Sequence, residues 1–340
     1  MEFFGLDIGS HTLKAVQLAK KGNNLYQLLS FGSAPSTDKG LLSEAESDLN
    51  NLAEQIKKLH AEAKIKTRNV ATALPQDQVF TRVATFPKLS EEELDSALQW
   101  EAEQYIPVPL EEVNLVHQIV GQFKDKNQEK IEVLLAAAPV RLIEKTTKVL
   151  KAAGLTPVGL ESEIMAIARS LVPSSPQTVM VVDLGAKATD LAVVEKGLVI
   201  FVHSIPSAGE ALTRAVAQEL GLESSQAEAY KRAYGLDLEK LEGKIGNAIG
   251  PVLQTIISEV EKTIQYCSAK QKNLSRIILC GGTAGLPEVG SLFAKKLNLE
   301  IQIGNPFSQT TEDGLVPKIP KTDLPLYATA VGLAMKEIEL

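Results

Sequence analysis

Two stretches of this 340-residue chain repeat one pattern. The first reads Leu6-Asp7-Ile8-Gly9-Ser10-His11-Thr12-Leu13-Lys14, the second Val182-Asp183-Leu184-Gly185-Ala186-Lys187-Ala188-Thr189-Asp190. Each is an apolar strand, an Asp, one residue, a Gly, a small residue and a second apolar strand. The second strands end at matching charged turns, Lys20-Lys21-Gly22 and Glu195-Lys196-Gly197. The offset is 176 positions, Asp7 to Asp183. A repeat of this length predicts two related halves, each opening β-β-β-α. Each half would present one hairpin turn, and together the turns would grip a phosphate tail from opposite sides. The chain is also longer than one compact core usually serves, which favours two domains.

Composition narrows the function classes. Apolar residues make up 44%, enough for full cores, while aromatic residues at 5% argue against base stacking on nucleic acid. The net charge of −7 argues against nonspecific attraction to DNA or anionic lipid. Cys267 and Cys280 are not spaced as a metal clamp and make no disulfide framework. They read as small apolar groups in a reducing compartment. Met1-Glu2-Phe3-Phe4 opens directly into a strand, and no segment reaches the ~20 apolar residues of a membrane span. The expectation is a cytoplasmic protein without direct membrane insertion, peripheral at the inner membrane only through a partner.

Periodicity supplies the organisation. Strands are expected at 2–8, 12–19 and 24–33, a helix over 43–63 and a short strand over 70–74. A different rhythm follows. Strand 79–86 leads to Ser90-Glu91-Glu92-Glu93, a capping box opening a helix that stops before Pro107. Strands 113–123 and 131–138, a helix over 140–153 and a strand near 157–160 complete a β-α-β-β-α-β unit. This unit, residues 79–158, is expected to be an inserted subdomain. Helix 162–171 and the loop Pro173-Ser174-Ser175-Pro176 cross to the second half. There, strands are expected at 178–184, 189–195 and 198–205, helices at 209–220, 224–234 and 241–271. Strand 276–280, the turn Gly281-Gly282-Thr283-Ala284-Gly285, helix 287–297 and a last helix 326–336 follow.

Three loops carry the chemistry. Gly9 and Gly185 allow a sharp turn and close approach of backbone to a ligand. Successive backbone N–H groups in such a turn form an anion nest, to which Ser10 and Thr12 add hydroxyls. Lys14 returns along the second strand and can place its ammonium on a phosphate oxygen. Asp7 and Asp183 would repel phosphate directly, so they make sense with Mg²⁺ or its bound waters between. Asp-x-Gly alone is also an ordinary hairpin signal. The third loop shifts the balance: Ile277-Ile278-Leu279-Cys280 is a buried strand ending in Gly281-Gly282, and Leu286-Pro287 starts a helix. Such a turn lets backbone lie against a ribose or purine and points helix N–H groups at phosphate.

These residues resemble a known superfamily. Asp7-x-Gly9-Ser10 with Lys14, Asp183-x-Gly185 with Thr189, and Gly281-Gly282-Thr283 are similar to the phosphate-1, phosphate-2 and adenosine motifs of actin, Hsp70 and sugar kinases. The resemblance implies an α/β fold: the actin-like (ribonuclease H-like) two-domain ATPase fold with an inserted α+β 1C-type subdomain, as in the FtsA-like branch. Domain 1A is then expected at 1–78, 159–173 and 325–340, the 1C insert at 79–158, 2A at 174–212 and 273–324, and 2B at 213–272. Glu228-x-x-Lys231-Arg232 looks like the purine- and ribose-gripping helix, with a solvated charged face as the alternative. The stretch from Gln99 through Trp100 and Tyr105 to Glu112 resembles the insert helix of the PilM family of type IV pilus assembly. The segment 328–334 resembles that family's closing helix. The implied cofactors are ATP and Mg, with Asp7 and Asp183 facing the metal through water. The implied cofactor-binding set is Asp7, Gly9, Ser10, His11, Thr12, Lys14, Asp183, Gly185, Ala186, Lys187, Thr189, Glu228, Lys231, Arg232, Gly281, Gly282, Thr283 and Leu286. The implied partner is the N-terminal cytoplasmic tail of the inner-membrane protein PilN, in the PilN/PilO complex, bound in a groove between the first domain and the insert. Through that complex the partners extend to the pilus motor ATPases.

The second loop departs from the family pattern. Relatives often hold a second glycine or an acidic residue after Gly185, where this chain has Ala186-Lys187-Ala188. Glu163, or Glu161, sits where relatives hold a water-polarising Gln or Glu, which makes Glu163 the candidate catalytic residue. ATP binding with slow or negligible hydrolysis is therefore expected. His11, His60, His117 and His203 are isolated, without a zinc pattern. No Walker A loop or Gly-x-Ser-x-Gly elbow is present. Alternative readings are an FtsA-like division filament and a small-molecule kinase, which needs a catalytic Asp facing a substrate hydroxyl.

Overall fold

The computed structural model describes residues 1–22, 24–37, 39–173, 176–311 and 319–338. Ser174 and Ser175 of the expected crossing loop lie outside these residues. Short apolar strands punctuated by polar turns open the chain as β1 (Phe4–Ile8), β2 (Thr12–Gly22) and β3 (Leu25–Pro35), followed by α1 (Glu46–Glu62) and β4 (Asn69–Leu74). β5 (Phe80–Pro87), α2 (Glu91–Tyr105), β6 (Val113–Asp125) and β7 (Gln128–Pro139) come next, then α3 (Val140–Ala152), β8 (Thr156–Ser162) and α4 (Glu163–Leu171). The second half opens in the same way with β9 (Thr178–Leu184), β10 (Thr189–Glu195) and β11 (Leu198–Ile205). It continues with α5 (Gly209–Leu220), α6 (Ser224–Tyr234), α7 (Lys244–Ala269), β12 (Leu274–Cys280), α8 (Val289–Leu297) and β13 (Glu300–Ile303), and α9 (Ala328–Ala334) ends the described elements.

The repeat seen in the sequence is a repeat of topology. One five-stranded sheet has the order β3-β2-β1-β4-β8 and the other β11-β10-β9-β12-β13. In each, the hairpin strand that carries the Asp is central. It runs antiparallel to its hairpin partner and parallel to the next strand inward. Burial on both faces explains the near-continuous apolar runs of the central strands. Phe4, Leu6 and Leu13 pack on Leu52, Ile56 and Leu59 of α1 and on Val149 and Leu150 of α3. Met180, Val182 and Leu191 pack on Leu212, Ile249 and Leu253 of the second half. α9 returns to the first half, where Leu333 joins Ala71, Ala73 and Ala166, and Val331 joins Val16 and Leu28.

The sequence reading places the strand near 157–160 in the insert. That strand, β8, instead pairs in parallel with β4, from Asn69 opposite Thr156 to Leu74 opposite Ser162. A parallel pair needs a long crossover, and the insert plus α3 supply it. The insert's own sheet is three-stranded, order β5-β7-β6. α2 covers it with Leu94 and Leu98 against Phe86, Ile131 and Val133. The capping box forms in full: Ser90 accepts from the Glu93 amide while the Glu93 carboxylate accepts from Ser90. The face of the insert sheet opposite α2 meets the second half, where Val120 and Leu134 share a cluster with Val179, Ala192 and Val199.

Candidate functional site

Both hairpin turns face one cleft of about 340 Å³. In the first, Asp7 and Lys14 are cross-strand partners in register. The Lys14 ammonium donates to Asp7 Oδ2 at 3.0 Å and to the Thr12 carbonyl at 3.4 Å. The two side chains are only 9% and 7% exposed. Gly9 is required by close approach, since a Cβ there would stand 2.7 Å from the Thr12 carbonyl oxygen. The second turn repeats this, with a Cβ at Gly185 falling 2.8 Å from the Ala188 carbonyl oxygen. The Gly185 amide donates to that carbonyl at 3.2 Å, closing the turn. The first turn of α5 then clamps it, with Gly209 N–H donating to Gly185 O at 3.1 Å and Glu210 N–H to Ala186 O at 2.8 Å.

The third turn follows β12. Gly281 has φ of +81°, which favours glycine, and sits against the Asp183 carboxyl and the Leu184 carbonyl. Thr283 N–H donates to Leu184 O at 3.1 Å, tying this turn to the second hairpin. From the opposite wall, His11 Nε2 meets Glu210 Oε1 at 3.1 Å, a direct side-chain contact between the two halves across the cleft mouth.

Carboxyl groups dominate the cleft floor. Burial pushes Asp183 up to about 6, Asp7 pushes the same way, and hydrogen bonding from Cys280 partly offsets the rise. Burial pushes Asp190 to about 7, with Asp183 and Asp77 adding to the rise while Ser204 opposes it. Glu163 is held well above the ordinary carboxyl range, by burial first and then by Asp7, Asp190 and Asp183; the Gln76 amide, donating at 3.1 Å, opposes this only weakly. Asp183 and Glu163 keep part of their surface open, but it opens into the narrow cleft rather than bulk water. Asp7, Asp183, Asp190 and Glu163 therefore crowd one site, where the Lys14 ammonium is committed to Asp7.

The structure brings Asp7, Gly9, Ser10, His11, Thr12, Lys14, Glu163, Asp183, Gly185, Ala186 and Lys187 to the cleft wall, together with Glu228, Lys231, Arg232, Gly281, Gly282, Thr283 and Leu286. Thr189 falls elsewhere: it is fully buried and its hydroxyl donates to the Ser207 carbonyl at 2.8 Å. Alternation explains this, because Asp190 one position on is the residue that faces the cleft. Lys231 is tied down by Gly209 O at 3.0 Å, Thr213 Oγ1 at 2.8 Å and Glu228 Oε2 at 2.6 Å, so it braces α5 against α6. Arg232 beside it is exposed. Glu161 and Glu163 separate cleanly. Glu161 holds Arg169 at 2.7 Å and Lys336 at 2.8 Å, away from the cleft, and these cations keep its carboxyl ionised against its burial. Sequence reasoning missed Asp190, Gln76 and Gly209. The signal for Asp190 was present, because it stands seven residues after Asp183 as Lys14 does after Asp7.

On the insert, Trp100 is 65% exposed and Tyr105 45%, so this Trp is surface and not core. The Arg82 guanidinium lies 3.1 Å from the centre of the Tyr105 ring and 3.5 Å from Glu101. Among the described residues no helix is long and apolar enough to cross a membrane.

Comparison with known proteins agrees with this architecture. The cell division protein FtsA of Pseudomonas aeruginosa (strain PAO1) is 21% identical over 373 residues, covering 97% of this chain and 88% of that protein. Among solved structures, a PilM-PilN type IV pilus biogenesis complex aligns at a TM-score of 0.86 with 29% identity, covering 100% of this chain and 99% of that one. MreB5 of Spiroplasma citri bound to AMPPNP aligns at 0.53 with 14% identity, over 98% of this chain and 95% of that one. The fold is actin-like. The family model described as type IV pilus assembly protein PilM matches residues 5–338, and the chain belongs to that family.

Proposed function

We propose that this protein is an ATP-binding scaffold of type IV pilus assembly that captures the cytoplasmic tail of a PilN-type inner-membrane protein. The observation that carries the nucleotide reading is the convergence of two Asp-x-Gly hairpins, one from each half, with the Gly281–Thr283 turn on one cleft. Backbone amides of the two turns and the Ser10 and Thr12 hydroxyls would take the phosphates. The Gly281-Gly282 turn and the α6 face at Glu228 and Arg232 would take the nucleoside. Lys14 neutralises Asp7 and keeps its ammonium at the phosphate end. Mg²⁺ fits the excess of carboxyls. Among the described residues no three acidic, His or Cys side chains converge tightly enough to hold a bare ion. The metal would therefore keep its waters and face Asp7 and Asp183 through them, as Mg²⁺ commonly does. Bound there, it supplies charge neutralisation for the phosphates.

Hydrolysis would be slow. Glu163 has the position of a water-polarising group, but burial first, and then Asp7, Asp190 and Asp183, push its carboxyl well above the ordinary range, which favours the protonated form and weakens it as a base. The protein would act by shape. Closing both halves over Mg-ATP fixes their angle and, through the Val120 and Leu134 contact with the second half, the pose of the insert. The groove between the first domain and the insert, near Trp100 and Tyr105, would then receive the PilN tail and place the protein at the inner membrane. The family match and the 29% identical PilM-PilN complex support this partner. Fluorescence anisotropy of a labelled PilN-tail peptide tests it. The expected result is binding that tightens about fivefold or more with Mg-ATP. Equal binding with and without ATP, or none, sinks the proposal.

A further inference from the structure

The two hairpins solve one electrostatic problem in two ways. In the first, Asp7 stands directly opposite Lys14 and the pair is neutral. In the second, Asp183 stands directly opposite Asp190. Opposed like charges on neighbouring strands destabilise a sheet, and unpaired buried charges cost more still. Asp190 is only 5% exposed, lines the cleft, and its Oδ1 has no hydrogen-bond partner. A second buried acceptor lining the same cleft, Gln76 Oε1 from the first half, is also unpartnered. The first hairpin's cation, Lys14, is already spent on Asp7 and the Thr12 carbonyl, and no cation is among the groups acting on Asp190. A positive charge is missing at the place where the first hairpin carries its lysine.

We propose that Asp190 is a cation-holding residue of this cleft: with Asp183 it receives a hydrated divalent cation on the second hairpin, in the place Lys14 occupies on the first. Waters of such a cation would supply donors for Asp190 Oδ1 and Gln76 Oε1, the two acceptors left without partners. No inner-sphere cage is needed, consistent with the absence, among the described residues, of a tight group of three metal-ligating side chains. The site therefore loads metal before nucleotide, and the phosphates arrive at a cleft whose second wall is already neutral. This rests on reading the cleft as a magnesium–nucleotide site, and it adds Asp190 to the Asp7 and Asp183 set.

Mn²⁺ titration of the full chain, stripped of metal and nucleotide and followed by electron paramagnetic resonance of free Mn²⁺, tests it. Wild type is expected to take up Mn²⁺ without nucleotide. Asp190→Asn is expected to bind about 10- to 100-fold more weakly, the loss typical when a partner of a metal's outer shell is removed. It is also expected to lose the Mn²⁺-induced rise in melting temperature, while its metal-free melting temperature stays at or above that of wild type. Unchanged Mn²⁺ affinity in Asp190→Asn overturns the proposal, as does a wild type that takes up no Mn²⁺ on its own. Should Asp190→Asn fail to fold, Asp190→Ser takes its place in the same titration, with the same loss of Mn²⁺ affinity expected and unchanged affinity again overturning the proposal. A parallel titration with AMPPNP keeps the two readings apart. Mn²⁺ uptake that depends on Asp190, with no AMPPNP binding, supports the cation site and removes the nucleotide reading. AMPPNP binding with Asp190→Asn indistinguishable from wild type removes the cation site alone.

Discussion

Neutralising the residue seven positions after each hairpin aspartate should move stability in opposite directions. Lys14→Met leaves Asp7 buried beside Asp183 and Glu163 without its partner at 3.0 Å. Breaking a buried pair in this way costs about 3–5 kcal/mol. Asp190→Asn removes a carboxyl that the fold has pushed from 3.8 to about 7. Keeping that group charged costs the metal-free protein roughly 4 kcal/mol above neutrality. The amide gives back part of this because its own N–H groups need partners, so the net gain is about 2 kcal/mol. The sign follows from linkage. The folded state binds the Asp190 proton more tightly than the unfolded chain, so wild-type stability is lost as pH rises toward 7. The advantage of Asp190→Asn should therefore be absent near pH 4, grow with pH and level off above about 7. Urea unfolding by circular dichroism in chelator, at several pH values, reads both variants. If both variants destabilise at pH 8, or if the Asp190→Asn difference is flat with pH, the electrostatic asymmetry of the hairpins is wrong.

Gly281→Ala should weaken AMPPNP binding and cost about 1–3 kcal/mol, because a Cβ at φ +81° would stand 2.6 Å from the Leu184 carbonyl; calorimetric titration and thermal melting check it. Glu161→Gln should destabilise by about 3 kcal/mol, since it strips Arg169 and Lys336 of their shared carboxylate, yet leave nucleotide affinity unchanged. His11→Ala should change stability by less than ~0.5 kcal/mol, as suits an exposed pair, but widen the cleft; a larger radius of gyration in small-angle scattering is the expected sign. Steady-state ATP turnover should stay far below the ~1 s⁻¹ at which kinases begin, and Glu163→Gln should not lower it further.

The hairpins, their offset and the third turn were legible in the sequence because each is local. Asp-x-Gly, a two-residue glycine turn and flanking apolar runs announce themselves within ten residues. The capping box at Ser90 and Glu93 was legible for the same reason. What escaped depends on pairing across the chain. β8 lies over 80 residues from its partner β4, and no local pattern says which sheet edge it will join. β13, only four residues long, is held by parallel pairing to β12 and carries no strand signature of its own. Residue type alone points to Thr189, whereas strand alternation points to Asp190, and the register sets Asp190 opposite Asp183. Gly209 and Gln76 reach the cleft only through the packing of α5 and of the turn after β4. Lys231 was visible as a charge, but its three hydrogen bonds to one brace were not.

A structure of the protein with AMPPNP and Mn²⁺ tests the central claim most directly, with the metal located by its anomalous signal. The triphosphate should lie between the Gly9–Thr12 and Gly185–Ala188 turns, with Mn²⁺ beside Asp183 and Asp190. A nucleotide seated elsewhere, or a cleft that stays free of it at saturating concentration, would contradict the account.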